Sequence, residues 1–330
     1  MPKEIGDKEV ILISGVSSFV GANLAIHFSN KGHSVYGLIS QNLLSYGGVR
    51  QLRLDRVVSS GVKLETLDIT DPDKLGRLIR GIKPSICFQH AAWTEHANSS
   101  NFDIQRAMLV NVVSLEPIYK ELKGCGAKGV IITGSNAEYG DNEDACLEND
   151  ICIPTTPYGL SKLVATLRSC QLAEQFNLPT RVARVYNPIG ELDNPKKLLP
   201  TVIESLKQNK AVDLSPCDQK RDFIFIKDLL NGFQLLLNDL NRKATFEIFN
   251  LCSGEAISIK EILINVADVM GKNKSLLNFG VHPMRDGEPQ ISFGSNKKAS
   301  ELLGWNPASI NEKLEIIVNG IINEKTLRDS

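Results

Sequence analysis

Up to Gly190 the chain alternates short apolar runs with longer segments of helical period. The β-rich runs are residues 9–14, 34–40, 62–67, 85–89, 130–135 and 180–185. Helical patterns fall at 22–28, from Asp71 and Pro72 onward, at 104–122 and at 158–176. Val10, Ile11, Leu12 and Ile13 are apolar without a break, as a strand covered on both faces requires. Such strands separated by helices predict an α/β fold, a doubly wound parallel sheet of the Rossmann type. Beyond Gly190 the alternation loosens. Residues 195–200 open a helix, 221–226 read as a short strand, 246–251 as a strand, 257–270 as a helix and 284–289 as a loop. The expected division is a sheet domain over residues 1–186, with 222–250 returning to it, and a smaller α/β lobe made mainly of 187–330.

Composition narrows the class. The 330 residues are 42% hydrophobic and 23% charged, enough for one large domain or two unequal ones. The 37 basic and 38 acidic residues nearly cancel, so no strong field favours nucleic acid or an anionic membrane, and an anionic ligand must be held by local groups. Seven cysteines, an odd number without CxxC spacing, argue against a disulfide framework and against a zinc site. No run approaches the roughly 18 apolar residues of a membrane span, and no signal-peptide pattern opens the chain. The expectation is a soluble, cytoplasmic protein that needs no metal.

Candidate chemistry sits where the strands end. The first strand runs into residues 15–21, Gly-Val-Ser-Ser-Phe-Val-Gly, and then into a helix. Gly15 permits a tight turn and close approach of backbone to a phosphate, Gly21 lets the helix lie close to the sheet, and the helix N-terminus offers amides and partial positive charge to a diphosphate. Ser18 stands where the usual fingerprint has its middle glycine. The second strand ends in Ile39 and Ser40, without the acid that would receive the ribose hydroxyls of NAD. Ser40 with Arg50, Arg53 or Arg56 could receive a 2′-phosphate instead, which favours NADP; the arginines could equally form a solvated helix face. Asp68, after the third strand, is either an acceptor for an adenine amine or a loop carboxylate. Small Ala91 and Ala92 follow the fourth strand, His90 and His96 have no visible partner, and Trp93 is either a substrate contact or a packing residue. Asn111 stands out in an otherwise apolar stretch. The fifth strand stops at Ser135. Pro157, as at a first helical turn, precedes Tyr158 and Lys162, which share a helix face at i and i+4 and can approach one ligand.

Residues 15–21, Ser135, Tyr158 with Lys162, the run Arg184-Val185-Tyr186-Asn187-Pro188-Ile189-Gly190, Arg221-Asp222-Phe223 and Arg285-Asp286 together resemble the extended short-chain dehydrogenase/reductase family, over nearly the whole chain. Within it, the chain looks like NADP-dependent reductases of nucleoside-diphosphate 4-keto-6-deoxyhexoses, such as the GDP-4-keto-6-deoxymannose reductases. The resemblance implies that Tyr158 exchanges a proton with the sugar oxygen and that Lys162 binds the nicotinamide ribose and lowers the tyrosine pKa. It implies that Ser135 steadies the charge on the same oxygen. It implies NADP(H), or else NAD(H), held by Gly15, Ser17, Ser18, Phe19, Val20, Gly21, Ser40, Arg50, Asp68, Ile69, Ala91, Ala92, Tyr158, Lys162 and Val185. The implied contacts to the nucleotide-sugar substrate are Trp93, Asn136, Asn187, Leu199, Arg221 and Arg285, with the two arginines and Asn187 at the diphosphate. Family dehydratases carry an acidic pair after the active-site hydroxyl; Asn136 and Ala137 stand there instead, with Glu138 one residue too late, so 4,6-dehydration is disfavoured. A 4-epimerase with tightly held NAD would use the same Ser, Tyr and Lys. A non-catalytic scaffold would usually have lost the tyrosine or the lysine, and this chain keeps both. The resemblance also implies a homodimer, paired through helices 104–122 and 158–176.

Overall fold

The protein is described by a computed structural model covering residues 8–97, 99, 101–284 and 288–329. Its centre is a seven-stranded sheet. Strands β1 (Val10–Ser14), β2 (Ser34–Ile39), β3 (Lys63–Thr66), β4 (Ile86–Gln89), β5 (Gly129–Ser135) and β6 (Thr180–Val185) are joined by a seventh, Phe246–Leu251, in the order seventh-β6-β5-β4-β1-β2-β3. Every neighbouring pair is parallel: Ile11 stands opposite Val35 on one side and Ile86 on the other, and Phe246 opposite Thr180. The order reverses between β1 and β4, and a crevice opens beyond the carboxyl ends of strands at such a reversal.

Both faces of the sheet are covered, which is why its strands are apolar without alternation. Ile11, Ile13, Phe88, Ile131 and Ala183 face a core shared with helix α1 (Phe19–Asn30) and with the helix Ile226–Asp239. Leu12, Cys87, Val130, Ile132 and Val182 face the opposite core. Helix α2 (Gly48–Ser59) follows β2 and lies against α1. On the second face lie α3 (Pro72–Ile82), α4 (Ile104–Met108), α5 (Leu115–Gly124) and α6 (Pro157–Phe176). The single helix expected at 104–122 is divided: a π-helical turn, Leu109–Val113, separates α4 from α5. Asn111 lies in that turn and spends its amide on tertiary bonds, accepting from the Trp93 amide at 2.8 Å and donating to Ser161 Oγ at 3.1 Å. π turns of this kind often mark functional sites.

The second half builds small sheets and three further helices, Leu198–Lys207, Ile259–Val269 and Ile310–Asp329, that pack on one another. The strand expected at 221–226 is two strands, Lys220–Arg221 and Phe223–Phe225, parted at Asp222. The fully buried Asp222 carboxylate explains the break, since it accepts from Ser253 N at 2.7 Å, Ser253 Oγ at 2.8 Å, Gly254 N at 3.0 Å and Gly294 N at 3.4 Å, tying three segments together. Phe223–Phe225 runs parallel to Asn187–Ile189. The helix expected to open at Ile257 opens instead at Ile259, because Ser258 caps it by accepting from Glu261 N at 3.0 Å. All seven cysteines are free thiols. Among the described residues no helix is long and apolar enough to cross a membrane.

At the end of β5 lies a carboxylate with no access to solvent. Glu138 accepts from Ser135 N at 2.8 Å, from Thr166 Oγ1 of α6 at 2.9 Å and from Arg184 Nε of β6 at 2.9 Å. Arg184 also lies over the Tyr139 ring, 4.4 Å from its centroid. A buried charge pair of this kind adds little when intact, but removing one partner leaves the other charged and unpaired. Glu138→Ala is therefore expected to lower the unfolding free energy by about 3–5 kcal/mol in denaturant titration, the range for a broken buried pair.

Candidate active site

The turn after β1 is built for close approach. Gly15 has φ +77°, and a Cβ there would lie 3.0 Å from the Ala91 Cα, so a side chain is excluded on both conformational and steric grounds. A Cβ on Gly21 would sit 2.3 Å from the Gly15 carbonyl oxygen. Ser18 is the N-cap of α1, its Oγ accepting from Gly21 N at 3.1 Å. The amides of Phe19 and Val20, at the first positions of the helix, have no acceptor among the described residues. Behind the turn, Arg53 is buried, donating to Leu192 O at 2.8 Å and Ser17 O at 3.3 Å. It thus staples the 190s loop to the glycine turn rather than facing ligand alone. Arg50, one helical turn earlier, is exposed.

A cleft of about 570 Å³ runs across this turn. Of the residues expected at a cofactor, Gly15, Ser17, Ser18, Phe19, Ser40, Arg50, Asp68, Ile69, Ala91, Ala92, Tyr158 and Lys162 line it. Val20, Gly21 and Val185 are buried and do not; Gly21 acts through packing instead. Trp93, expected at the substrate, lines this cleft too, with the Arg106 guanidinium 5.9 Å from its ring centroid. Arg106 also donates to Asp68 at 2.9 Å. Partial burial pushes the Asp68 carboxyl up, but donation by Thr70 and Arg106 outweighs it and leaves the pKa below the ordinary range.

His90 has partners that its sequence context concealed. Its Nε2 lies 2.9 Å from Ser18 Oγ and its Nδ1 3.0 Å from Thr133 Oγ1. Ser14 Oγ pins the backbone beside it, accepting from the amides of His90 and Ala91 at 3.0 and 2.9 Å. Burial, with the Lys162 charge nearby, lowers the imidazole pKa to about 3, so the ring is neutral at any working pH.

Ser135, Tyr158 and Lys162 converge. Ser135 and Tyr158 line one cleft, close enough for the Ser135 side chain to act on the phenol, and Phe102 meets the Tyr158 ring edge-on at 6.1 Å. Ser161 Oγ donates to the Tyr158 carbonyl at 2.8 Å, so the Asn111 turn also steadies the start of α6. Lys162 Nζ donates to the Thr133 carbonyl at 2.5 Å. The expectation that Lys162 lowers the tyrosine pKa is not realised in this state. Burial raises the Tyr158 pKa above its ordinary value, with Ser135 pulling it back, and burial lowers that of Lys162, with the Glu138 charge opposing. Tyr158 is therefore a neutral phenol, able to give a proton.

A second cleft, of about 550 Å³, meets the first at Tyr158, which lines both. Ser135, Asn136, Ala137, Asn187 and Arg221 line it. Asn187 Nδ2 donates to Asp222 O at 2.8 Å, and Asn136 Nδ2 to Ser292 Oγ at 3.3 Å. Arg221 pairs with Glu288 at 2.8 Å. Leu199 lies in the core under the helix Leu198–Lys207 and lines neither cleft; Arg285 lies outside the described residues. Phe102, Asn111 and Thr133 were not singled out for a role in the site. Asn111 alone announced itself, as an amide in an apolar stretch.

Comparison with known families matches residues 11–252 to the NAD dependent epimerase/dehydratase family. The chain is 27% identical over 226 residues to the dTDP-4-dehydro-6-deoxyglucose reductase of Escherichia coli, covering 67% of this chain and 70% of that one. It is 26% identical over 323 residues to a UDP-glucose 4-epimerase of Mycoplasma genitalium, covering 90% and 91%. Among solved structures, a UDP-glucose 4-epimerase from Thermotoga maritima superposes with TM-score 0.81 at 21% identity, over 96% of this chain and 99% of that one. A dTDP-glucose 4,6-dehydratase from Streptomyces venezuelae, with NAD bound, gives 0.82 at 20%, over 96% and 98%. The glycine turn that no Cβ could enter, the amides at the head of α1 without an acceptor among the described residues and the volume of the first cleft fit a dinucleotide. With a family match spanning most of the chain on top of that geometry, this protein belongs to the NAD dependent epimerase/dehydratase family, the extended short-chain dehydrogenase/reductases that act on nucleotide sugars.

Proposed function

We propose that the protein reduces the C4 keto group of a nucleoside-diphosphate 4-keto-6-deoxyhexose with NADPH. The observation that carries the reading is the position of Tyr158: beside Ser135 in one cleft, beside Lys162 in the other, and shared by the two. The nicotinamide supplies a hydride to C4. Tyr158 gives its proton to the sugar oxygen as that oxygen gains charge, and Ser135 donates to the same atom. Lys162, presented on the Tyr158 face of α6, holds the nicotinamide ribose hydroxyls. Asn187 and Arg221, with Arg285, take the diphosphate of the substrate, which suits the forked guanidinium and requires Arg221 to exchange Glu288 for phosphate oxygens. Dehydration is disfavoured because no acid directly follows Ser135: Asn136 is tied to Ser292, Glu138 is turned into the core, and the first acid after Ser135 that lines the cleft is Asp141.

NADP preference is supported at the end of β2, where Ser40 and the exposed Arg50 line the cleft and no carboxylate stands to repel a 2′-phosphate. A cytoplasmic homodimer acting on a small nucleotide sugar completes the reading. Exposed Leu109, Val113, Leu160 and Leu167 on the π turn and α6 offer the apolar face for pairing. The epimerase relative that spans nearly the full chain supports a second reading, 4-epimerisation with retained NAD. Purified protein that carries NAD and interconverts two nucleotide sugars without added NADPH would select it.

Four outcomes are expected. Tyr158→Phe should lower kcat for NADPH oxidation by roughly 10²–10⁴-fold with little change in KM, the span of general-acid contributions. Arg50→Ala should weaken NADPH binding roughly tenfold, as loss of a charge-assisted hydrogen bond does, and leave NADH binding within about twofold. Because burial holds the Tyr158 pKa high, reduction needs no deprotonation and its rate should be flat from about pH 6 to 9. Oxidation of the product by NADP⁺ needs the phenolate and should rise about tenfold per pH unit over the same range; a flat reverse profile would rule out Tyr158 as the base.

A further inference from the structure

Ser18 replaces a glycine in the diphosphate turn, and the residue opposite it is a histidine whose ring is hydrogen-bonded at both nitrogens. A hydroxyl oxygen has two lone pairs and one proton, and a neutral imidazole has one N–H. One lone pair of Ser18 Oγ is filled by the Gly21 amide at 3.1 Å. If His90 carried its proton on Nδ1, Ser18 would have to donate to Nε2, leaving a bare lone pair facing the cleft and hostile to an anion. If the proton is on Nε2, Ser18 Oγ accepts twice, and its own hydrogen has nowhere to go but the cleft. Thr133, whose hydroxyl has no other partner among the described residues, then donates to Nδ1. An anion at the turn selects the second arrangement.

We propose that Ser18 donates a hydrogen bond to the diphosphate of the dinucleotide, alongside the amides of Phe19 and Val20, and that His90 is the positioning residue that sets its hydroxyl by donating from Nε2. This rests on the dinucleotide reading of the first cleft. It gives the departure from glycine a purpose: a hydroxyl supplied by the side chain adds a donor in place of the closer backbone approach. Ser18 has an extended backbone, φ −81° and ψ 167°, so its side chain is accommodated without strain. His90 does this work as a neutral group. The charged residue that faces it is Lys162, and with burial it keeps the ring unprotonated.

The test is calorimetric titration with ADP-ribose, which carries the diphosphate without nicotinamide, and with adenosine, which carries no phosphate. Ser18→Ala should weaken ADP-ribose about tenfold, the worth of one hydrogen bond to a charged group, and leave adenosine unchanged. His90→Phe keeps the Ser18 cap on Gly21 and should weaken ADP-ribose by a similar factor, and the double variant should be no weaker than the weaker single one. Wild-type affinity for ADP-ribose should be flat from about pH 6 to 8, since a neutral donor does not titrate there. Ser18→Ala binding as tightly as wild type, losses that multiply in the double variant, or affinity climbing as the pH falls to 6 would each overturn the proposal. Should Ser18→Ala misfold, Ser18→Gly, which restores the usual residue, and His90→Phe decide it on the same scale. Wild-type protein that binds neither ADP-ribose nor NADP would overturn the dinucleotide reading itself, an outcome distinct from binding that ignores Ser18.

Discussion

The three residues proposed for catalysis stand on elements tied together by one carboxylate that touches no solvent. Glu138 collects the Ser135 amide at the end of β5, the Thr166 hydroxyl in the middle of α6 and the Arg184 guanidinium on β6. Tyr158 and Lys162 ride on α6, and Ser135 ends β5, so the distance between the phenol and the hydroxyl is fixed by groups bonded to the same two oxygens. Three independent elements converge on the charge, and each satisfies a part of what burial would otherwise cost. Around it lies a second, neutral brace: Asn111 in its π turn holds the Trp93 backbone and, through Ser161, the first turn of α6. Rigid support for reacting groups is what a site needs if hydride and proton are to move within a few tenths of an ångström of their ideal paths.

Much of this was legible in the sequence. Unbroken apolar strands separated by helices predicted the doubly wound sheet, and the sheet has that form because Ile11 and Leu12, Ile131 and Val130, point into two different cores. Gly15 announced a turn that no side chain could enter, and Tyr158 with Lys162 announced a helix face. The tertiary partners could not be read. Nothing near His90 in sequence shows that Ser18 and Thr133 will bracket its ring, since those contacts depend on β1, β4 and β5 lying side by side. Arg53, one of three arginines that could receive a phosphate or form a solvated helix face, is buried, lines the first cleft and also binds the carbonyls of Leu192 and Ser17, contacts that depend on the 190s loop folding back. Glu138 was judged by its offset from a dehydratase acid; only the fold shows that it points away from the cleft altogether.

The state of the tyrosine follows from its burial. In the family's usual account a lysine lowers the phenol pKa so that it can act as a base. Here Lys162 is occupied by the Thr133 carbonyl, and burial keeps Tyr158 protonated. A buried neutral phenol can give a proton, as the proposed reduction asks of Tyr158. Arg221, paired with Glu288 in the second cleft, would have to change partners to take the diphosphate proposed for it.

The central claim is that a hydride reaches C4 of the sugar while Tyr158 gives a proton to the oxygen on that carbon. Reaction with NADPH deuterated at the transferring position of C4, followed by mass and NMR analysis of the product, tests it most directly. The account predicts one deuterium per turnover, bound to C4 of a 6-deoxyhexose still attached to its nucleotide. Product without deuterium, or deuterium at any other carbon, would contradict it.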